Sequence, residues 1–370
     1  MLESGVRHPR AMVLVNGTRV AWTDIEVNSN GYYQADSFRV VLPVSNQPPE
    51  VTREWWNAQN PMVVEIYTGF PSNPNAYGKD DLTLLIMGEV DDFSTKMVEG
   101  VVNLVGRDYS ALLIETKIIL GDRLNRTASD VAIEYATKYG LTTTHITKTT
   151  VKIGRIYELS YTKMQHAVTE WDLICLLAGE SGFQVFIKGI DLHFEAKPPT
   201  APIYTLTWKD ADSKGGKRFD GAELICQRNL TLAKDIIVYV RVKNKKTGKF
   251  FTTLAHASHS RDKVLNKGKR YIGKPQVHME RLMGSMDKEQ AQAKANEILA
   301  ELSRHQVRLD ITGIPADNVL TPQHIIKLVG TSDYDQQYHP DQIIRKFDMN
   351  SGYTMDILAK NHDVNSQVLI

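Results

Sequence analysis

Two stretches far apart in the chain share one grammar, and that repeat constrains the fold more than any other feature. Gly88 to Leu113 reads GEVDDFSTKMVEGVVNLVGRDYSALL, and residues 343–363 read IIRKFDMNSGYTMDILAKNHD. In the first, Val90 and Phe93 are followed by Gly100, an alternating strand and Gly106-Arg107-Asp108. In the second, Ile344 and Phe347 are followed by Gly352, a similar strand and Ala359-Lys360-Asn361. Each copy reads as strand, polar turn, strand, small residue, cation, and Asp or Asn. A chain that builds one β unit twice can stand in for two subunits of a ring.

At 370 residues the chain exceeds one ordinary core, so two or three domains are expected. Residues 12–20, MVLVNGTRV, signal a hairpin, with Asn16-Gly17 supplying positive φ angles. Phe38, Val40 and Leu42 alternate before Pro43. Residues 46–60 predict a loop with a short helix, and their Trp55-Trp56 pair a plug for the core. Residues 62–67 and 82–87 predict further strands.

After Arg107 the pattern turns helical. Thr127-Ala-Ser-Asp130 predicts a capped helix start, Val131, Tyr135 and Tyr139 share a face, and Gly140 ends the helix. Thr169 caps a second helix with Trp171, Ile174, Cys175 and Ala178 inward and Gly179 and Gly182 as breakers, followed by a hairpin about Gly189. Strand periodicity returns from Tyr204, with Ile236, Val238, Val240 and Val242 on one face and final strands at 325–329 and 353–358. Between them Asp287 and Gln290 open a helix carrying Ala291, Ala295, Ile298 and Leu302. The fold class read from this is α+β and β-rich.

Composition narrows the function by exclusion. A formal net charge of +1 gives no global field toward nucleic acid or membrane, and no apolar run is long enough to span a bilayer. The N-terminus lacks a signal peptide's apolar core, so synthesis in the cytoplasm is expected. Cys175 and Cys226 read as reduced thiols.

Catalytic patterns are missing. There is no GxGxxG and no GxxxxGK; Gly268-Lys269 is the nearest approach. His256 and His259 form a lone HxxH, and Asp210-Ala-Asp212 starts a calcium loop that Lys214 and Gly221 spoil. Gly179-Glu-Ser181-Gly182 follows a helix, where a nucleophile elbow needs a strand. Asp91 and Asp92 are adjacent on a strand and point to opposite faces, so they do not converge on one bond. No catalytic residue, cofactor or metal is expected.

One stretch stands above background. Residues 241–274 hold eleven cations against the single acid Asp262. Lys243, Lys245, Lys246, Lys249, Lys263, Lys267, Lys269 and Arg270 are the candidate interface or lumen residues, facing acidic protein or phosphate. The bland alternative is a solvated hairpin tip and loop.

GRDYSALL at 106–113, NRTASDVAIEYATKYGL at 125–141, TEWDLICLLAGESGFQVFIKGIDLHF at 169–194 and GYTMDILAKNHD at 352–363 together resemble the late-control-D family. These are baseplate hub proteins of contractile-tailed phages, related to the N-terminal part of type VI secretion spike proteins. The resemblance implies two tube-type β-barrel domains, 1–111 and 201–370 (the second with an inserted helix), flanking a smaller α+β domain, 112–200. It further implies a homotrimer whose six barrels form a pseudo-sixfold ring in the virion's tail baseplate. The implied partners are the tail tube or distal tail protein, the spike or needle protein, and the tape-measure protein and DNA in transit. Because the chain stops at Ile370 without a needle repeat, a separate spike chain is expected. The basic run is left between two positions, lining the lumen or meeting the tube. Two other functions remain as alternatives: a nucleic-acid-binding module using 241–274, and a tail-associated cell-wall hydrolase.

Overall fold

The computed structural model describes residues 8–31, 33–118, 124–154, 156, 169–198, 200–208, 223–228, 236–256, 276–303, 307–331 and 334–361. The chain begins with β1 (Arg10–Val15), β2 (Thr18–Val20), β3 (Asp24–Asn30), β4 (Ser37–Pro43), α1 (Arg53–Ala58), β5 (Val63–Gly69), β6 (Thr83–Lys96) and β7 (Val101–Asp108). A middle segment follows, with α2 (Ser110–Glu115), α3 (Ala128–Lys138), α4 (Glu170–Glu180), β8 (Phe183–Lys188) and β9 (Asp191–Ala196). The remainder holds β10 (Ile203–Thr207), β11 (Glu223–Arg228), β12 (Ile236–Asn244), β13 (Phe250–His256), β14 (Gln276–Met286), α5 (Lys288–Ser303), β15 (Val307–Pro315), β16 (Ile325–Val329), β17 (Gln337–Asp348) and β18 (Gly352–Asn361). The class is α+β and β-rich.

Thirteen strands make one sheet, in the order β11-β15-β18-β17-β3-β4-β7-β6-β5-β1-β2, with β16 on β17 and β10 on β16. Alternating burial along β3, β4 and β18 is the period-2 signature of strands with one face on a core. One apolar cluster runs across both ends of the chain, from Val13 and Val40 to Leu309 and Ile357. Trp56 is buried in it and Trp55 packs edge-on against Trp56 at 4.8 Å, so the tryptophan pair is a core plug. A second cluster lies between α3, α4 and the β8-β9 hairpin, and a third joins β12–β14 to α5.

The local signals act as expected. Asn16 takes φ 46° and Gly17 φ 80°, closing the β1-β2 hairpin. Thr127 with Asp130, and Thr169 with Asp172, form reciprocal capping boxes. Asp287 and Gln290 exchange the same pair of bonds ahead of α5, at 2.8 and 3.2 Å. Two details differ. The helix α4 continues past Gly179 and closes at Gly182, whose φ is 70°. Its Leu173 and Leu177 are buried along with Trp171, Ile174, Cys175 and Ala178, so it is enclosed on most sides. Both cysteines are free: Cys175 is buried in α4 and Cys226 half-buried on β11. Among the described residues no helix is long and apolar enough to cross a membrane.

The two ends of the chain are also tied by polar groups inside the shared core. The hydroxyls of Thr68 on β5 and Tyr353 on β18 lie 2.9 Å apart, and both reach Asn318 Oδ1, at 2.9 and 2.7 Å. Asn318 Nδ2 donates to the Thr68 carbonyl at 2.6 Å. Removing the hub of such a network leaves several buried groups without partners, which costs about 1–3 kcal/mol each. Asn318→Ala is therefore expected to lose more stability than Tyr353→Phe, which keeps the Thr68–Asn318 contact. Urea denaturation of the two variants beside the parent chain measures the difference.

Candidate assembly surface

The repeated hairpins, β6-β7 and β17-β18, correspond at a β-bulge. On β6 the ladder with β7 shifts between Val90 and Asp92, leaving Asp91 extra; on β17 the shift falls between Pro340 and Gln342, leaving Asp341 extra. Arg107 grips Asp91 with Nε and Nη2, both at 2.7 Å, and Lys360 reaches Asp341 at 2.5 Å. The cation of each repeat thus holds the bulged aspartate of its own hairpin. Asp108 and Asn361, the last residue of each motif, are both buried. The bulge also changes the reading of Asp91 and Asp92. Strict alternation fails there, both side chains are exposed, and Asp91 is committed to Arg107.

Aligning the copies at the bulge moves the correspondence made from the turns. Val90 answers to Pro340, not to Ile344, because the second hairpin is two residues longer on each strand beyond the bulge. At two ladder positions glycine is required in the first copy alone. A Cβ on Gly88 would lie 1.9 Å from the Arg107 carbonyl oxygen, and one on Gly106 would lie 2.1 Å from that of Glu89. In the second copy Tyr338 and Ala359 occupy these positions.

The repeat extends well past the hairpins. The strands β3-β4-β7-β6-β5-β1 and β11-β15-β18-β17-β16-β10 are neighbours in the same order, and each set follows the same order along the chain. All matching pairs but one are antiparallel in both sets; β1 is antiparallel to β5, whereas β10 is parallel to β16. The long strand of each set changes neighbours along its length. β6 pairs β5 over Thr83–Glu89 and β7 over Gly88–Lys96. β17 pairs β16 at Gln337 and Tyr338, then gives its Gln342–Asp348 edge to β3 of the first set.

Charged groups are buried near this junction. Arg345 of β17 is 3% exposed and donates to the carbonyls of Asp317, at 2.8 Å, and Leu320. The Asp36 carboxylate accepts the Asn30 N–H at 2.7 Å, and its carbonyl accepts the Asp108 N–H at 2.9 Å. Burial, with the Asp108 charge second, raises the Asp36 pKa well above the usual carboxylate range. Burial likewise pushes Asp108 up to about 6, against the lowering effect of hydrogen bonds from Ser110. None of these residues carried a signal in the sequence beyond the end of the GRD motif.

The predicted basic residues divide between described and undescribed chain. Lys243 lies on β12, and Lys245, Lys246 and Lys249 in the turn to β13; all four are exposed and no carboxylate among the described residues pairs with them. Asn244 shapes this turn by accepting the N–H groups of Lys246 and Thr247 at 2.9 and 3.0 Å. Lys263, Lys267, Lys269 and Arg270 lie outside the described residues, as do His259 and the Asp210–Gly221 stretch.

One group of metal-ligating types occurs among the described residues: His145, His193 and Glu195, with ligand atoms within 4.8 Å of one another. His145 is far in sequence from His193 and Glu195, which share β9, and the three gave no motif. The imidazoles of His145 and His193 are stacked, with centroids 4.2 Å apart and planes only 16° from parallel. A ring-nitrogen lone pair lies in the plane of its ring, so two stacked imidazoles do not direct both lone pairs at one ion. Phe186 stacks on the other side of His193 at 4.4 Å, and the group reads as an aromatic stack on the hairpin face.

No protein-family model matches the chain, and no curated protein matches it by sequence. Solved structures do match in fold. The tail protein from Neisseria meningitidis MC58 gives a TM-score of 0.60 at 13% identity, over 95% of this chain and 96% of that one. The 43 kDa tail protein of prophage MuSo2 from Shewanella oneidensis gives 0.61 at 12% identity, over 97% and 100%. The fold is thus that of phage tail proteins, shared across nearly the whole length of each.

The raised pKa of Asp108 has a stability consequence. The folded state holds this proton more tightly than the unfolded chain, so the contribution is fully present below about pH 4 and is lost as the pH rises through about 6. Asparagine, the residue found at the corresponding position 361, keeps the acceptor for Ser110 without the buried charge. Asp108→Asn is therefore expected to stabilise the fold by about 1–3 kcal/mol at pH 7.5 and to have little effect at pH 4. Denaturant midpoints of parent and variant at the two pH values test this.

Proposed function

We propose that this chain is the structural hub of a phage or phage-like tail, a homotrimer whose two tube-type units per chain make a pseudo-sixfold ring. The ring joins a hexameric tail tube to a trimeric membrane-piercing spike. The observation that supports this best is the repeated six-strand order, since three chains with two like units each present six like positions. The shared fold with tail proteins supports the tail assignment. We divide the chain accordingly into units 1–111, 112–200 and 201–370, with the β12–β14 sheet and α5 carried as an insertion in the last. Location in the virion's tail baseplate, and passage of the tape-measure protein and DNA through the ring, belong to the same reading.

The role is non-enzymatic in this proposal. Binding here rests on large repeated surfaces, and Asp91, one of the adjacent acids singled out in the sequence, is held by a bidentate arginine. The test is solution mass by light scattering across a wide concentration range. With a chain of 41.7 kDa, a trimer is expected at roughly 125 kDa. A stable dimer would count most heavily against the ring.

The exposed lysine turn favours a second contact, with phosphate or acidic protein. If it meets nucleic acid, binding to a labelled duplex falls steeply with salt. Neutralising Lys243, Lys245, Lys246 and Lys249 to Gln should then flatten the salt dependence by up to about four counterions. Salt-insensitive or absent binding assigns the turn to a protein partner or to solvent.

A further inference from the structure

The duplication leaves two sheet edges open, and they are the edges that a repeat of the internal junction would bring together. Inside the chain, β17 gives its Gln342–Asp348 edge to β3. The counterpart of β17 is β6, whose ladder with β5 stops at Glu89. Beyond that point its outer edge has no strand partner among the described residues. The counterpart of β3 is β11, which ends the sheet path with β15 on one side and no described strand on the other. Unpaired edges left in one plane are templates for strand addition.

We infer that β6 of one chain pairs antiparallel with β11 of a second copy, continuing the sheet across the subunit boundary as β17-β3 continues it within the chain. The inference rests on the ring reading above and names the surface that closes it. The register follows from the structure. The bulged residues Asp91 and Asp341 correspond, so Thr95 corresponds to Arg345. Ser37 stands opposite Arg107 and Arg308 opposite Lys360, so Ser37 corresponds to Arg308. Asn28 stands opposite Ser37 and Gln227 opposite Arg308, which makes Val27 the counterpart of Cys226. Within the chain Arg345 lies opposite Val27. Between chains, therefore, Thr95 lies opposite Cys226, with Ser94 opposite Gln227 and Lys96 opposite Ile225.

Exposure and charge agree with this occupant. Ile225 is 46% exposed in the single chain although it lies on a strand, and the β6-β7 tip carries the exposed apolar pair Met97 and Val98. Charge repeats across the two junctions. Lys346 faces Glu26 directly inside the chain, with Asp24 one same-face step along. Lys96, its counterpart, meets Glu223, the counterpart of Asp24, on the same diagonal. The contact is heterologous, a different patch on each partner, so it propagates head to tail, and three equal steps of the proposed ring close it.

Native Cys226 makes the register testable by one substitution. Directly opposed residues of an antiparallel pair have Cα atoms about 4.5–5.5 Å apart, within disulfide reach. Thr95→Cys, in the full chain with oxidised glutathione as oxidant, should convert most of the monomer band on a non-reducing gel into two- and three-chain species. Reducing agent should reverse this. Thr95→Cys with Cys226→Ser should abolish it, and Ser94→Cys, on the opposite face, should not reproduce it. Lys96→Cys with Ile225→Cys, in the Cys226→Ser background, supplies a second pair on exposed positions. A trimer by light scattering that neither pair cross-links overturns the edge pairing and leaves the ring reading standing. Cross-linking by Ser94→Cys instead overturns the register. A monomer at every concentration, with no cross-link, overturns both.

Discussion

Seven consecutive rungs between β17 and β3 hold this architecture together. They join strands more than three hundred residues apart and turn two copies of a β unit into one sheet with one shared core. Without them each copy would expose a long, flat edge and half of an apolar face. The backbone bonds are supplemented from inside by Arg345, whose guanidinium occupies carbonyls that the loop at 317–320 would otherwise leave unpaired. Asn318 of the same loop adds the bonds to Thr68 and Tyr353. The middle segment and the β12–β14 module have clusters of their own and depend on this frame for placement, not for burial.

The bulges account for the change of neighbours along each long strand. A bulge adds twist and bends its strand, which lets β6 and β17 leave one neighbour and take up another. The extra residue is aspartate in both copies, and a cation from the paired strand restrains it. Arginine in the first copy makes a two-pronged grip and also reaches Glu115 at the end of α2. Lysine in the second holds its aspartate through Nζ, a point charge where arginine offers a fork.

Much of this was legible wherever structure is set by near neighbours. The period-2 pattern of Ile236 to Val242, the Asn16-Gly17 turn and the three capped helices follow from residues within a few positions of one another. The twin hairpins were legible too, as was the tail-type fold, through four motifs in order. Their register was not, because a bulge is a property of two strands, and nothing in Pro340-Asp341 marks it from one side. Nor was the continuity of the sheet, whose decisive contact pairs the first strands with the last. Asp36 and Asp108 resemble ordinary turn acids until the fold closes over them. The basic run was visible as composition, yet only its first four lysines among the candidates can be located, on the turn that Asn244 shapes.

The two copies differ most where β3 meets β4 and β11 meets β15. The first link is residues 31–36; the second spans 229–306 and carries a sheet and a helix with a separate apolar cluster. Duplication made the units alike, and this insertion made them unlike at one point on the circumference. In the proposed ring of three chains the scaffold would repeat every sixty degrees, but the appendage every hundred and twenty. A partner that grips the scaffold would count six, and one that grips the appendage three, so one kind of chain would carry both periodicities.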